Sequence, residues 1–305
     1  MKHPLIALAL VVLLAVAGCG GGGTAGDSDA SSGTERTLSI SAIPDQDPAK
    51  LTAREQALAA YLAEELDIDV EFVPVTDYAA SVSLFRAGDL DMVFYGGLTG
   101  VQARLQTPGA VLLAQRDIDA EFRSVFIANA DAGIEPVTET AGLTAYKGKR
   151  FTFGSESSTS GRLMPDYFLR EAGISESDFT GQPGFSGSHD QTIDLVQAGS
   201  YDGGALNLQV WTARKEAGTV DLDRVKEIFI TPTYHDYHWI AGPELDADFG
   251  AGFTEKLRMA LLALDGSSPQ EVEVLEMYGA ESIIPTEASN YDQIEKIARE
   301  LKLVS

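Results

Sequence analysis

Three consecutive hydroxyl side chains, Ser158, Thr159 and Ser160, stand between an apolar stretch that stops at Gly154 and a segment of helical character from Arg162 to Ala172. In the order strand, hydroxyl-rich turn, helix, they fall where backbone N–H groups lack intrahelical partners and where Ser and Thr are favoured caps. The helix dipole adds partial positive charge at this end, so the turn can hold a small oxyanion with no charged side chain. The simpler reading of one isolated turn of this kind is an N-cap and nothing more. Pro165 removes a backbone donor, so the regular helix is expected to start after Ser160 or to bend there.

The elements that must position this turn follow from periodicity. Thr37 to Ala42 alternates as a strand and ends in the loop Ile43-Pro44-Asp45-Gln46-Asp47-Pro48, where two prolines stop pairing. Thr52 and Glu55 have the spacing of a capping box for a helix reaching Leu66, with Leu58, Tyr61, Leu62 and Leu66 on one face. Val70 to Val75 reads as a strand, and Asp77 as the cap of a helix that begins at Tyr78 and ends before Gly88. Met92 to Tyr95 is a short buried strand that stops at Gly96-Gly97, before another helix start near Leu98. Strands near residues 110–114 and 124–129 complete a first half, and the small, acidic and Pro-rich residues 130–140 read as a crossover to a second lobe.

The second half repeats the logic of the first. A Gly-rich loop over residues 181–187 precedes a helix at residues 188–198 and a strand near residues 203–206. Ala87-Gly88-Asp89-Leu90-Asp91 matches Ala198-Gly199-Ser200-Tyr201-Asp202: each ends a helix at Gly and opens a strand with Asp, leading to Tyr95 and Asn207. The fold class is α/β, each lobe a mixed sheet flanked by helices, with lobe 1 at residues 36–129 plus 231–305 and lobe 2 at residues 130–230. A ligand is expected in the cleft between the lobes, which close by hinge motion.

Charge and leader narrow the setting. The formal charge is −24, and −25 once Lys2 leaves with the leader, which makes nucleic acid an unsuitable partner. Residues 1–18 hold one early Lys and an apolar run from Leu5 to Ala17, too short for a comfortable transmembrane helix and typical of a signal peptide. Val16-Ala17-Gly18-Cys19 is a lipobox, and Cys19, the single cysteine, is the expected lipidated residue. Residues 20–35 contain no apolar side chain larger than Ala, so residues 19–35 form a lipidated flexible tether.

The run Phe153-Gly154-Ser155-Glu156-Ser157-Ser158-Thr159-Ser160-Gly161-Arg162-Leu163-Met164-Pro165 resembles the phosphonate/phosphite-type periplasmic binding proteins of ABC importers, within which it is most similar to a selenate-binding subgroup. The likeness extends from about Leu38 to the C-terminus. It implies a two-lobe clamshell of type II, no catalysis, no cofactor and no metal, and an ABC permease transmembrane subunit as partner. It further implies a monomer at the periplasmic or cell-surface face, anchored in the membrane by lipid. Tyr78 and Tyr95 match the family's Asp-Tyr and Tyr-Gly ligand contacts, and His189, Asn207 and Asp236 match its remaining ligand positions. Read from the residues alone, Tyr78 and Tyr95 are rim or core tyrosines and His189 is a helix-start histidine. Gln209 stands where aminophosphonate-binding members carry Glu, so a charge-assisted contact to a ligand ammonium is lost and an amine-free ligand is favoured.

Asp236 sets a condition on the ligand. A carboxylate beside an anion is tolerable only with a proton between them. Phosphite, methylphosphonate and selenite can carry that proton, whereas selenate and sulfate stay fully ionised. Three other readings are weaker. A Ser/His hydrolase would need Ser186 or Ser188 with His189, but Gly184-Phe185-Ser186-Gly187-Ser188 misses the Gly-x-Ser-x-Gly elbow, and adjacent residues do not face each other. A sulfonate or thiamine-type pyrimidine binder would need an aromatic slot rather than convergent hydroxyls. His235 and His238 have the spacing of some metal ligands but lack a second pair. Arg162 reads as a solvated surface side chain.

Overall fold

A computed structural model describes residues 36–304. The expected signal peptide, Cys19 and the expected tether lie outside the described residues.

The chain opens as β1 (Leu38–Ala42), α1 (Pro48–Leu66), β2 (Val70–Phe72), α2 (Tyr78–Ala87) and β3 (Met92–Tyr95), followed by α3 (Gly97–Gln106) and β4 (Val111–Arg116). It crosses to β5 (Ser124–Asn129) and β6 (Phe151–Phe153), then a π-helical turn at Thr159–Leu163 that leads into α4 (Met164–Glu171). Next come β7 (Gly184–Phe185), α5 (His189–Gln197), β8 (Gly203–Asn207), α6 (Leu208–Glu216) and β9 (Val225–Ile230). It returns through β10 (His238–Ala241), α7 (Leu245–Phe249), α8 (Phe253–Leu262), α9 (Pro269–Tyr278), β11 (Ile283–Ile284) and α10 (Asp292–Glu300).

Two sheets result, in the orders β11-β4-β10-β3-β1-β2 and β7-β6-β8-β5-β9. Each contains the same parallel unit: β1 lies between β2 and β3 as β6 lies between β7 and β8. In each sheet an antiparallel strand then joins the unit, β10 beside β3 and β5 beside β8. The five-residue repeat read in the sequence has a physical basis here. Asp91 accepts the Ser39 N–H at 2.8 Å and Asp202 accepts the Arg150 N–H at 2.8 Å, so each aspartate ties its strand to the neighbouring parallel one.

The placement of β5 differs from expectation. Residues 124–129 belong to the second sheet, paired with β8 and β9, so the chain crosses at residues 117–123 rather than at residues 130–140. All six residues of β5 are buried, and an apolar run of this kind suits either sheet equally. The return crossing runs alongside the first: Phe122 and Tyr234 exchange backbone hydrogen bonds at 2.9 and 3.0 Å, and Thr231 accepts the Ser124 N–H at 3.0 Å. Two paired connectors thus join the lobes.

Local signals explain most element boundaries. Asp77 caps α2 and Ser268 caps α9, each accepting a backbone N–H three residues on, with Pro269 opening α9. For α1 the cap is Asp47, followed by Pro48, so the helix starts before Thr52, whose hydroxyl donates instead to the Pro48 carbonyl.

Candidate functional site

In an open α/β sheet, ligands bind beyond the carboxyl ends of the strands, where the strand order reverses. Both sheets reverse at their central parallel strand, and the four segments leaving those strand ends meet across the lobes. From the first sheet come the loop after β1, with Asp45, and the start of α3 after β3, with Gly97. From the second come the Ser158 turn after β6 and Asn207 at the end of β8. Leu98 N–H donates to Thr159 Oγ1 at 2.9 Å, and His189 N–H donates to the Asp45 carbonyl at 2.9 Å, so the lobes are closed on each other.

The Ser158 turn is wound by Gly161 N–H donating to Ser158 Oγ at 2.9 Å and by Leu163 N–H reaching back to the Ser158 carbonyl at 3.0 Å. This wide turn keeps Thr159 and Ser160 clear of the helix ladder that begins at Met164, with Pro165 in its first turn, where a missing N–H is harmless. It packs closely on the end of β6: Gly154 N–H donates to the Gly161 carbonyl, and a Cβ on Gly154 would stand 3.3 Å from Gly161 Cα.

Tyr78, Ser158, Thr159, Ser160, His189, Asn207 and Asp236 are each at most 3% exposed, a burial that polar side chains tolerate only when they find partners. Asp45 Oδ1, Tyr78 Oη, Ser160 Oγ and Asp236 Oδ2 are among the buried polar atoms with no partner within the protein, as are Arg54 Nη2, Glu55 Oε2 and His238 Nε2 nearby. Ser160 keeps its backbone carbonyl bonded to Ser124 Oγ at 2.8 Å, which fixes the residue while leaving its hydroxyl available. Asp236 accepts the Gly97 N–H on Oδ1 at 2.8 Å. A Cβ on Gly96 would lie 3.2 Å from both Asp236 Oδ1 and Thr159 Oγ1, so glycine lets the start of α3 come this near.

Burial pushes the Asp236 carboxyl up to about 7, against the opposing pull of Gly97 N–H and the Thr159 hydroxyl. Burial also raises the Tyr78 phenol well above its ordinary value, Asp45 adding to this and the Ser158 hydroxyl offsetting part. Tyr78 is therefore a neutral donor and Asp236 a proton acceptor near neutrality.

Besides Ser158 and Thr159, whose hydroxyl oxygens accept backbone N–H groups, three further expected ligand residues hydrogen-bond within the protein. Tyr95 donates its hydroxyl to the Ser81 carbonyl at 2.9 Å and packs edge-on against Phe85, so it braces α2, which carries Tyr78. Asn207 spends its side-chain oxygen on the Gln209 and Val210 N–H groups at the start of α6, and its amide nitrogen lies 3.4 Å from Tyr237 Oη. His189 accepts the Asn207 N–H on Nδ1 at 3.3 Å, which leaves its proton on Nε2, 3.4 Å from Tyr237 Oη. Burial pulls the pKa of this imidazole down, and it is neutral.

Arg162, read as a surface residue, is buried. It stacks at 4.4 Å on Phe153 and pairs with Asp166 and Glu176. His235 and His238 are not joined as a pair: His238 Nδ1 donates to the Asp236 carbonyl at 3.1 Å while its ring lies 3.9 Å from Tyr291, and His235 contacts Gln115.

A cleft of about 440 Å³ is lined by Asp45, Arg54, Phe94, Arg116, Asn207 and Tyr237, among others. Ser158, Thr159, Ser160, Tyr78 and Asp236 do not line it. Arg54 pairs through Nε with Glu55, Arg116 pairs with Asp119, and both guanidinium groups lie over Phe94, while Arg54 Nη2 has no partner within the protein. The sequence carried one sign of these residues: Arg54 and Glu55 sit between Leu51 and Leu58 on the buried face of α1. Asp45, also missed, lies in a loop read only as a strand terminator.

Two lobes built on one repeated unit, joined by paired connectors and meeting at a cluster of buried polar side chains, define a substrate-binding protein of the periplasmic type. Residues 40–291 match the family model for ABC transporter, phosphonate, periplasmic substrate-binding proteins. The chain is 45% identical over 270 residues to the probable ABC transporter phosphite binding protein PhnD1 of Prochlorococcus marinus, covering 88% of this chain and 91% of that one. The structure of PhnD1 in complex with methylphosphonate superposes with a TM-score of 0.86 over 88% of this chain and 99% of that chain. At 24% identity over 310 residues, the chain is also similar to the phosphate-import protein PhnD of Mycolicibacterium smegmatis, covering 97% and 95% of the two. The chain belongs to the phosphonate-binding family of ABC transporter periplasmic substrate-binding proteins, which are transport components and not enzymes.

Proposed function

We propose that this protein captures a small oxyanion able to carry a proton, of the phosphite or methylphosphonate kind, and delivers it to an ABC permease while tethered by a lipid on Cys19. The observation that carries this reading is the set of unpartnered buried atoms: the Tyr78 and Ser160 hydroxyls donate to a tetrahedral anion, and Asp236 Oδ2 accepts a hydrogen bond from its hydroxyl. Thr159 and Ser158 shape the turn, and Tyr95, His189 and Asn207 act one step behind as braces. The likeness to a phosphite binding protein and to a structure holding methylphosphonate supports the same ligand class. Selenate, the ligand that the resemblance to a selenate-labelled subgroup suggests, fits less well because it brings no proton to Asp236. The protein works as a monomer, since both lobes of one chain supply the residues of the site.

Thermal unfolding against phosphite, methylphosphonate, aminoethylphosphonate, phosphate, selenite, selenate and sulfate tests the proposal. A ligand at about a thousand times its Kd adds about 4 kcal/mol, a shift of several degrees. We expect phosphite or methylphosphonate to give the largest shift. A panel with no shift would refute the oxyanion reading, and a shift with selenate alone would remove Asp236 from its role. Retention of Cys19→Ser in the soluble fraction, against membrane retention of the native protein, checks the anchor.

A further inference from the structure

The lobes also meet at a contact that the oxyanion reading does not use. Asp190, in the first turn of α5, accepts the Asp47 N–H on Oδ2 at 2.9 Å. Asp47 belongs to the loop after β1, so this hydrogen bond crosses from one lobe to the other. The preceding residue does the same, His189 N–H donating to the Asp45 carbonyl at 2.9 Å. Asp47 uses its own carboxylate to accept the Ala49 and Lys50 N–H groups as the cap of α1. The N-terminal ends of α1 and α5, both partially positive, thus come together across the lobes, and the Asp190 carboxylate between them offsets their repulsion.

Asp190 is held for this contact from within its own lobe. Arg214, near the end of α6, donates from Nη1 to Asp190 Oδ1 at 2.7 Å. The same guanidinium is fixed at Nε by Thr219 Oγ1, 2.7 Å away, and at Nη2 by Asp194 Oδ1, 3.0 Å away. One carboxylate oxygen of Asp190 is therefore bonded inside lobe 2 and the other faces lobe 1. An ordinary surface ion pair contributes little because two free side chains must be ordered to make it. Here both partners belong to lobe 2 and can pair whether the lobes are open or closed. Closing adds the Asp47 N–H to an acceptor already oriented, with no further side chain to order.

We propose that Asp190, oriented by Arg214, is the latch of the clamshell: it holds the closed lobes together outside the ligand site and sets how long a bound ligand stays. A contact made only in the closed state slows reopening and leaves encounter with the open cleft unchanged, so its effect falls on release. Asp47 is exposed and Asp190 half-buried, whereas Asp45 and His189 are buried. The latch thus occupies the solvent-facing side of this contact between the lobes. The release rate read with phosphite rests on the oxyanion reading above; the latch between the lobes does not.

Hydrogen exchange of the full-length protein, with and without phosphite, tests the latch at one amide. The His189 N–H donates across the lobes to the Asp45 carbonyl, an acceptor that no substitution at Asp190 removes. In Asp190→Ala this amide should exchange about tenfold faster than in the native protein. The Thr192 N–H, which donates to the Ser188 carbonyl within lobe 2, should keep its native rate. Asp190→Asn retains a neutral acceptor oxygen and should give an intermediate His189 rate. In stopped flow, phosphite release should be about tenfold faster from Asp190→Ala, with association unchanged. Equal His189 exchange in the two proteins, or an equal acceleration at Thr192, would overturn the inference. So would a His189 amide unprotected in the native protein under both conditions. If phosphite fails to bind while the His189 amide is protected in the native protein and loosened in Asp190→Ala, the oxyanion reading falls and the latch stands.

Discussion

Replacing Asp236 with Asn should erase a discrimination whose size follows from the structure. The contact between Asp236 Oδ2 and a ligand oxygen needs one proton. Supplied by the protein, it must come onto a carboxyl that is hydrated and ordinary while the lobes are open, and pH 7 lies about three units above the ordinary value of 3.8, about 4 kcal/mol. Supplied by a ligand with a second pKa of about 6, it lies one unit away, about 1.4 kcal/mol. The difference favours phosphite over selenate by about a hundredfold at pH 7. In Asp236→Asn, the Gly97 N–H keeps its acceptor while the amide donates to either anion, so the ratio should fall to within about threefold of unity. Isothermal titration of both proteins with both ligands measures it. Native discrimination below tenfold, or a ratio that survives the substitution, would refute the reasoning.

Other consequences follow from the same contacts. Because burial raises the Asp236 pKa, this group's contribution to the closed state is fully present below pH 3.8 and is lost as pH rises through about 7. The stability of Asp236→Asn relative to native protein should therefore rise between pH 4 and pH 8, by up to about 4 kcal/mol, in urea denaturation without ligand. Thr159→Val leaves the Leu98 N–H without its acceptor across the cleft, and phosphite affinity should fall about 10- to 100-fold, with Thr159→Ser retaining most of it. At Gly100, a Cβ would stand 2.5 Å from His238 Nε2 and push the ring off the Asp236 carbonyl and Tyr291. Gly100→Ala should lower stability by about 1–3 kcal/mol, measured by denaturant midpoint, and weaken phosphite binding as well.

Much of this protein could be read before its structure. Asp77, Ser268 and the Gly88 stop announced their helices through local chemistry that tertiary contacts did not override. The Ser158 turn was visible because three hydroxyls, a glycine and a proline each constrain the same few residues. What stayed hidden depends on pairing and direction. The lobe that holds β5 is decided by its neighbours β8 and β9, which no alternation within residues 124–129 encodes. Tyr95 ends a strand at the right edge, yet its side chain turns toward Ser81 and not toward the chamber. Arg162 looked solvated because its sequence shows neither the Phe153 ring beneath it nor Glu176 beside it. Asp45 carried a usable signal, an acidic residue in the loop after a strand at the reversal point of an α/β sheet, but that point becomes evident only with the strand order.

A crystal structure of the protein with methylphosphonate tests the central claim most directly. The account predicts the phosphonate oxygens within hydrogen-bond reach of Ser160 Oγ, Tyr78 Oη and Asp236 Oδ2, enclosed between the Ser158 turn and the start of α3. A phosphonate seated in the neighbouring cleft against Arg54 and Arg116, with the Ser160 hydroxyl untouched, would contradict it.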